Sequence, residues 1–160
     1  MDINNLKKAD IFEYLPNHPE EFDMIIANDI IEHLRKDEVF NFLDIIMAAL
    51  RPGGKILISA PNAGSLFGSS STYIDFTHEL SFTPESLTQV LRVCGFKDVH
   101  IYGDGPVAHD FRSTIRVWLW HFIKGVLKGY LAVERGTGRG LWKHPVILEP
   151  RIFAVARKSD

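Results

Sequence analysis

Four side chains in this sequence can act together: Asp29, Glu32, His33 and, much further along, His78. Two carboxylates and two imidazoles form a donor set suited to a divalent ion such as Mg, Mn, Fe or Zn. If a helix starts near Asp29, Glu32 and His33 lie one turn on, and the three side chains converge. The loop after the next strand returns to the same end of a sheet and brings His78 within reach. The same atoms allow a second chemistry, with His78 and Asp29 as catalytic residues and His78 as the general base that deprotonates an acceptor hydroxyl. A third reading leaves Glu32 and His33 as helix-capping residues that shape a pocket. Tyr73 and Asp75 share the loop of His78 and suit contact with a substrate.

The elements that must position these groups follow from hydrophobic period. Phe22 to Asn28 (FDMIIAN) is a short apolar run of the kind that forms a strand buried on both faces. Asp37 to Leu50 changes to helical period, with Val39, Phe40, Leu43, Ile46, Met47 and Leu50 on one face. Arg51-Pro52-Gly53-Gly54 stops that helix and permits a sharp reversal. Lys55 to Ser59 (KILIS) reads as a second buried strand, followed by a loop rich in Gly, Ser and Asn from Ala60 to Ser71. Thr83-Pro84-Glu85-Ser86 is a capped helix start with proline at its first position, and that helix runs to about Cys94. Lys97 to Tyr102 is a third strand and Arg151 to Lys158 a last one. Between these two lies Arg112 to Leu131, a long amphipathic helix with Arg112, Arg116, Lys124 and Lys128 at multiples of four on one stripe, then a Gly- and Arg-rich loop from Glu134 to Lys143. Alternating strands and helices imply an α/β sheet with right-handed crossovers.

Three blocks in fixed order, FDMIIANDIIEHL, ALRPGGKILISAPN and FTPESLTQVLRVCGF, resemble the class I S-adenosylmethionine-dependent methyltransferases, in particular the small-molecule branch with Asp-x-x-Glu-His after its fourth strand. The resemblance covers roughly Ala9 to Tyr102. It implies an α/β, doubly wound Rossmann-like sheet lacking its first two strands, with a C-terminal antiparallel hairpin and an added amphipathic helix. It further implies one partial domain over residues 1–160 with a helical insertion at 112–143 before the last strand. Ligands in such sheets sit at the carboxyl ends of the strands. By position, Asp10 resembles the acidic residue that takes the adenine amino group, and Asn28 and Asp29 match the strand end beside the methionine part of the cofactor. Asp10 also reads as a turn or helix cap. A set similar to Asp29, Glu32, His33 and His78 occurs in metal-dependent small-RNA 2′-O-methyltransferases, with Glu where Asp29 stands here, and a related motif in ubiquinone-pathway O-methyltransferases. No glycine-rich cofactor turn lies upstream of Asp10 in these 160 residues, so the isolated chain is expected to bind S-adenosylmethionine weakly or not at all.

Composition narrows the partners. With 46% hydrophobic and 24% charged residues the chain is an ordinary globular one, and a net charge of -2 gives no sign of a nucleic-acid partner. A small-molecule acceptor is the expectation, and O-methyl transfer to a hydroxylated or glycan-like group the reaction. The single Cys94 and the lack of an apolar leader fit the cytoplasm. The alternative is a non-catalytic remnant that serves as a dimerising or regulatory partner. A different nucleotide-binding enzyme is disfavoured by the missing phosphate loop. The 112–131 helix has two readings, cover for the sheet or a homodimer partner, and contact with a membrane surface. With an open edge at Phe22 to Asn28, either the strand around Leu6 to Ile11 moves across to pair with it or two chains associate there.

Overall fold

The computed structural model describes residues 6–135 and 146–159. Its elements are helix α1 (Ile11–Tyr14), strand β1 (Phe22–Asn28), helix α2 (Glu38–Ala49), strand β2 (Leu50–Pro61), short helix α3 (Gly68–Thr72), helix α4 (Pro84–Val93), strand β3 (Lys97–Gly103), helix α5 (Phe111–Arg135) and strand β4 (Arg151–Arg157). One four-stranded sheet runs β1-β2-β4-β3. The β1–β2 pair is parallel and β4 is antiparallel to both neighbours. This is the mixed α/β sheet with an antiparallel C-terminal pair that the sequence implies.

Local chemistry explains most boundaries. Thr83 and Ser86 form a reciprocal capping box at the start of α4, with Pro84 in its first turn. Gly95, at φ +90°, ends that helix in the left-handed region. Helix α2 buries Val39, Phe42, Leu43, Ile46 and Ala49, while Phe40 points out. The expected stripe had Phe40 inward; the core takes the 39, 42, 43, 46 series, and Phe40 falls off that face. Arg51-Pro52-Gly53-Gly54 is not a separate reversal. It lies inside β2 as a bulge, since Phe22 pairs with Leu50 but Met24 already pairs with Lys55. Gly53 sits at φ +72°, and a Cβ on Gly54 would come 2.8 Å from the Arg51 carbonyl oxygen.

The expected N-terminal strand is absent. Residues 6–10 have no regular structure and Ile11 opens a helix, so nothing from this segment pairs with β1. The re-pairing expectation is thereby overturned: Asp10 caps α1 by accepting the Phe12 N–H at 2.8 Å, which favours a helix where a strand was expected. Residues 136–143 of the expected Gly- and Arg-rich loop lie outside the described residues.

A single core lies on one face of the sheet, where Ile56, Ile58, Ile152 and Ala154 meet Phe42 and Ile46 of α2 and Leu87 and Leu91 of α4. Alternate residues point the other way. There Met24 and Ile26 of β1 and Tyr102 of β3 are exposed. Among the described residues strand β1 is also the outer strand, so it offers there both an unpaired backbone edge and uncovered apolar side chains. We expect the 160-residue chain to self-associate through β1 at micromolar concentration, and Ile26→Lys to return it to a monomer in sedimentation. A wild-type monomer with its helical circular dichroism intact would contradict this.

Candidate functional site

The parallel strands β1 and β2 end side by side, and their carboxyl ends carry the site. Asn28 closes β1 and Asp29 follows it with φ +52°, a left-handed turn that Asp adopts more readily than most residues. The Asp29 N–H donates to Ser59 Oγ at 2.9 Å, across from the end of β1. Ser59 Oγ lies 2.7 Å from Asn28 Oδ1 and 2.9 Å from Asp29 Oδ1, and its single proton serves one of them at a time. Arg151, the first residue of β4, sets Nη2 between both Asp29 oxygens at 2.6 and 2.5 Å. The ends of three strands are thus tied by one network.

After Asp29 the chain makes a 3-10 turn over Ile31–His33 where an α-helix was expected. The left-handed Asp29 turns the chain out of helical direction before any helix can propagate from it. The turn brings three of the four expected residues together. One ligand atom each from Glu32, His33 and His78 lies within 4.8 Å of the others, and the two imidazole rings meet edge to face at 4.8 Å. Asp29 borders the same hollow but stands outside this trio, its carboxylate engaged by Arg151.

Hydrogen bonds fix both imidazole tautomers. His78 Nδ1 lies 2.9 Å from the Thr72 carbonyl oxygen, which can only accept, so Nδ1 carries the proton. Thr77 Oγ1 gives its proton to Asp75 at 2.8 Å, so it accepts from His33 Nδ1 at 2.9 Å. The two bonds that Thr77 donates hold Asp75 below the usual carboxylate range. In the neutral form both histidines therefore present a bare Nε2 lone pair.

Glu32 is 1% exposed, and its Oε2 has no hydrogen-bond partner. Burial pushes its carboxyl above the ordinary value of 4.5, against a backbone hydrogen bond; the Asp29 charge adds to the rise, and His33 and His78 oppose it. A buried carboxylate with one orphaned oxygen, clustered with two imidazoles, fits a divalent cation, which would supply the missing partner.

The other sequence-derived residues fall in different places. Asp10 borders a separate surface hollow with Lys7, Glu13 and His18. Tyr73 is exposed, whereas Asp75 lines the site with Ser71 and Ile74. Two residues escaped sequence reasoning. Arg151 is separated from Asp29 by 122 positions, with only its place at a strand start to mark it. Asn62 is fully buried, with Nδ2 donating to the Ile147 and Glu149 carbonyls at 3.0 and 2.8 Å and Oδ1 accepting from Gly64 N at 2.9 Å. It pins the loop after β2 to the segment that leads into β4.

The methyltransferase domain family model matches residues 2–101, which span β1, β2 and the whole site apart from Arg151. The chain belongs to the methyltransferase domain family. No curated protein matches it significantly. In fold the domain is similar to a SAM-dependent methyltransferase from Archaeoglobus fulgidus, with TM-score 0.64 and 24% identity over 96% of this chain and 67% of that one. It is similar also to a 1,6-didemethyltoxoflavin-N1-methyltransferase of Burkholderia thailandensis solved with S-adenosylhomocysteine, with TM-score 0.52 and 18% identity over 95% of this chain and 49% of that one. A small-RNA methyltransferase gives TM-score 0.54 at 15% identity, over 94% of this chain and 15% of its own length. The domain therefore spans two thirds or less of these relatives.

The folded domain holds the Glu32 proton more tightly than the unfolded chain does. Its charge thus costs stability above the raised value, and the cost vanishes as pH falls towards 4.5. In chelator, Glu32→Gln is expected to raise the urea midpoint at pH 7, with the gain shrinking towards pH 5. A Gln variant less stable than wild type at pH 7 would show that the carboxylate is already compensated.

Proposed function

We propose that this domain acts in S-adenosylmethionine-dependent O-methyl transfer to a hydroxylated small-molecule or glycan-like acceptor bound in the 440 Å³ hollow bordered by Asp29, Glu32, His33, Ile74, His78 and Arg151. The observation that carries this reading is the tautomer of His78. Its Nδ1–H is spent on the Thr72 carbonyl, which leaves the Nε2 lone pair of the neutral ring available as a base. When bound, S-adenosylmethionine supplies a methyl group on a sulfonium, already a reactive donor, so the protein has mainly to align the acceptor and remove its proton. The acceptor oxygen would take the methyl group as the methyl–sulfur bond breaks and sulfur keeps the electron pair, and the acceptor proton would pass to His78 Nε2. Asn28 and Asp29, at the end of β1, are the residues we assign to the methionine side of the donor. Asp29 acts as a fixed anion held by Arg151, which orients it without leaving it free to take the acceptor proton. Asp10 is assigned to the adenine amino group through the oxygen that does not cap α1.

A second reading concerns a metal, and the orphaned Glu32 Oε2 favours it. Glu32, His33 and His78 would hold a divalent ion, with the Thr77 and Thr72 contacts orienting the two imidazoles. Such an ion would lower the pKa of an acceptor hydroxyl as a Lewis acid. His78 would then be a ligand and not the base. Asp29 is left out of this set because Arg151 holds it.

One experiment separates the readings. Methyl transfer from labelled S-adenosylmethionine is followed against a panel of phenols, glycosides and amines, with chelator or with Mn. With S-adenosylmethionine at millimolar concentration, which offsets the weak donor binding expected of this chain, slow transfer to hydroxyl acceptors is expected, falling about 10²–10⁴-fold in His78→Ala. Activity unchanged by chelator supports the base, and activity restored only by Mn supports the metal. Transfer confined to amines would overturn the O-methyl reading.

A further inference from the structure

Helix α5 is 25 residues long and barely packed. Its inner stripe, Val117, Trp120, Lys124, Leu127 and Leu131, is only half-buried, and none of its residues is fully buried. Attachment is concentrated at Glu149. Trp120 Nε1 and Lys124 Nζ both donate to Glu149 Oε1, at 3.2 and 2.8 Å, and the Leu148 N–H donates to Oε2 at 3.0 Å. Burial raises the Glu149 carboxyl, but hydrogen bonds from Lys124, its own backbone and Trp120 outweigh it and hold it below its ordinary value. Gly103 allows this carboxylate to sit against β3, since a Cβ there would come 2.7 Å from Oε2.

The outer side is apolar over its whole length. At about 3.6 residues per turn, Phe111, Ile115, Trp118, Phe122, Val126 and Val133 fall on one face. All are exposed, Trp118 to 75% and Phe122 to 71%. No helix among the described residues is long and apolar enough to cross a membrane. A helix of this kind, with an aromatic apolar face and a cationic border, suits the plane of a bilayer surface.

Charge decides between the occupants of this face. Arg112, Arg116, Lys124 and Lys128 stand on α5 against a single acid, Glu134 near its end, although the chain as a whole carries -2. Lys124 is taken by Glu149, while Arg112 and Lys128 make no ion pair among the described residues. A second copy docked on this face by two-fold symmetry would bring a helix of the same sign, with only Asp110 at its start and Glu134 near its end to answer the cations. Phosphate head groups answer them directly.

We propose that α5 is a membrane-surface helix, which lays its Trp118–Phe122 face into the head-group region of anionic phospholipid and sets Arg112 and Lys128 among the phosphates. The β1 edge lies at the other end of the sheet order from β3, against which Glu149 sits, so the two interactions are tested separately.

The test is vesicle co-sedimentation of the whole chain. The vesicles are phosphatidylcholine alone or phosphatidylcholine with about one third phosphatidylglycerol. The variants are Phe122→Glu and the pair Arg112→Glu and Lys128→Glu, all exposed positions, with thermal melts to verify folding. The wild type is expected to pellet with anionic vesicles, to bind neutral ones at least about tenfold less, and to lose about tenfold or more in either variant, with salt weakening it. A folded wild type that stays in the supernatant with anionic vesicles, or pellets equally with both, overturns the proposal. So does a lipid-free dimer that Phe122→Glu dissociates, which would make the face a contact between copies.

Discussion

The network around Asp29 is the constraint on which the site depends. At the end of β1 the chain turns through the left-handed region, which Asp enters at lower cost than most residues, and the surroundings of Asp29 hold it there. Here the hold comes from Ser59 on β2 and Arg151 on β4. The Arg151 pair is partly exposed, so its Coulomb energy alone is modest. Its consequence is geometric: it joins the ends of β1, β2 and β4, and it redirects the chain into the 3-10 turn that carries Glu32 and His33. With a helix from Asp29 onwards, Glu32 would not face His78 as it does.

That turn creates an electrostatic tension. Glu32 is buried without a partner for one oxygen, while two imidazoles a few ångströms away keep their Nε2 lone pairs bare through bonds to Thr72 and Thr77. A proton, a metal or a polar acceptor relieves it, and each relief belongs to a different chemistry. The loop that carries Thr72, Asp75, Thr77 and His78 is anchored to the turn by the Glu32 carbonyl, which accepts from the Glu79 and Leu80 N–H groups at 2.8 and 3.0 Å. Loop and turn therefore move together, and the rigid sheet end positions both.

Legibility in the sequence followed the range of the forces. Helix α4 was readable residue by residue, because Thr83, Pro84, Ser86 and Gly95 act on neighbours within one turn. The strands β1, β2 and β4 and the antiparallel placement of the last came from apolar runs and family order. Glu32, His33 and His78 were legible as residue types, and their convergence followed from topology. The left-handed Asp29, the bulge at Arg51 to Gly54 and the inward turn of Phe42 in place of Phe40 were not, since each is decided by contacts between elements. Arg151 and Asn62 were invisible for the same reason: polar residues whose partners lie 122 and 85 or more positions away leave no local pattern.

The central claim is that the joined ends of β1 and β2 face the methyl donor. Amide chemical-shift mapping tests it most directly, because it registers even millimolar binding of S-adenosylhomocysteine to the labelled chain. The account predicts that the largest shifts fall on Asn28, Asp29 and Ser59. Shifts confined to the apolar hollow between α4 and α5, around Gly64, Leu127 and Tyr130, would contradict it.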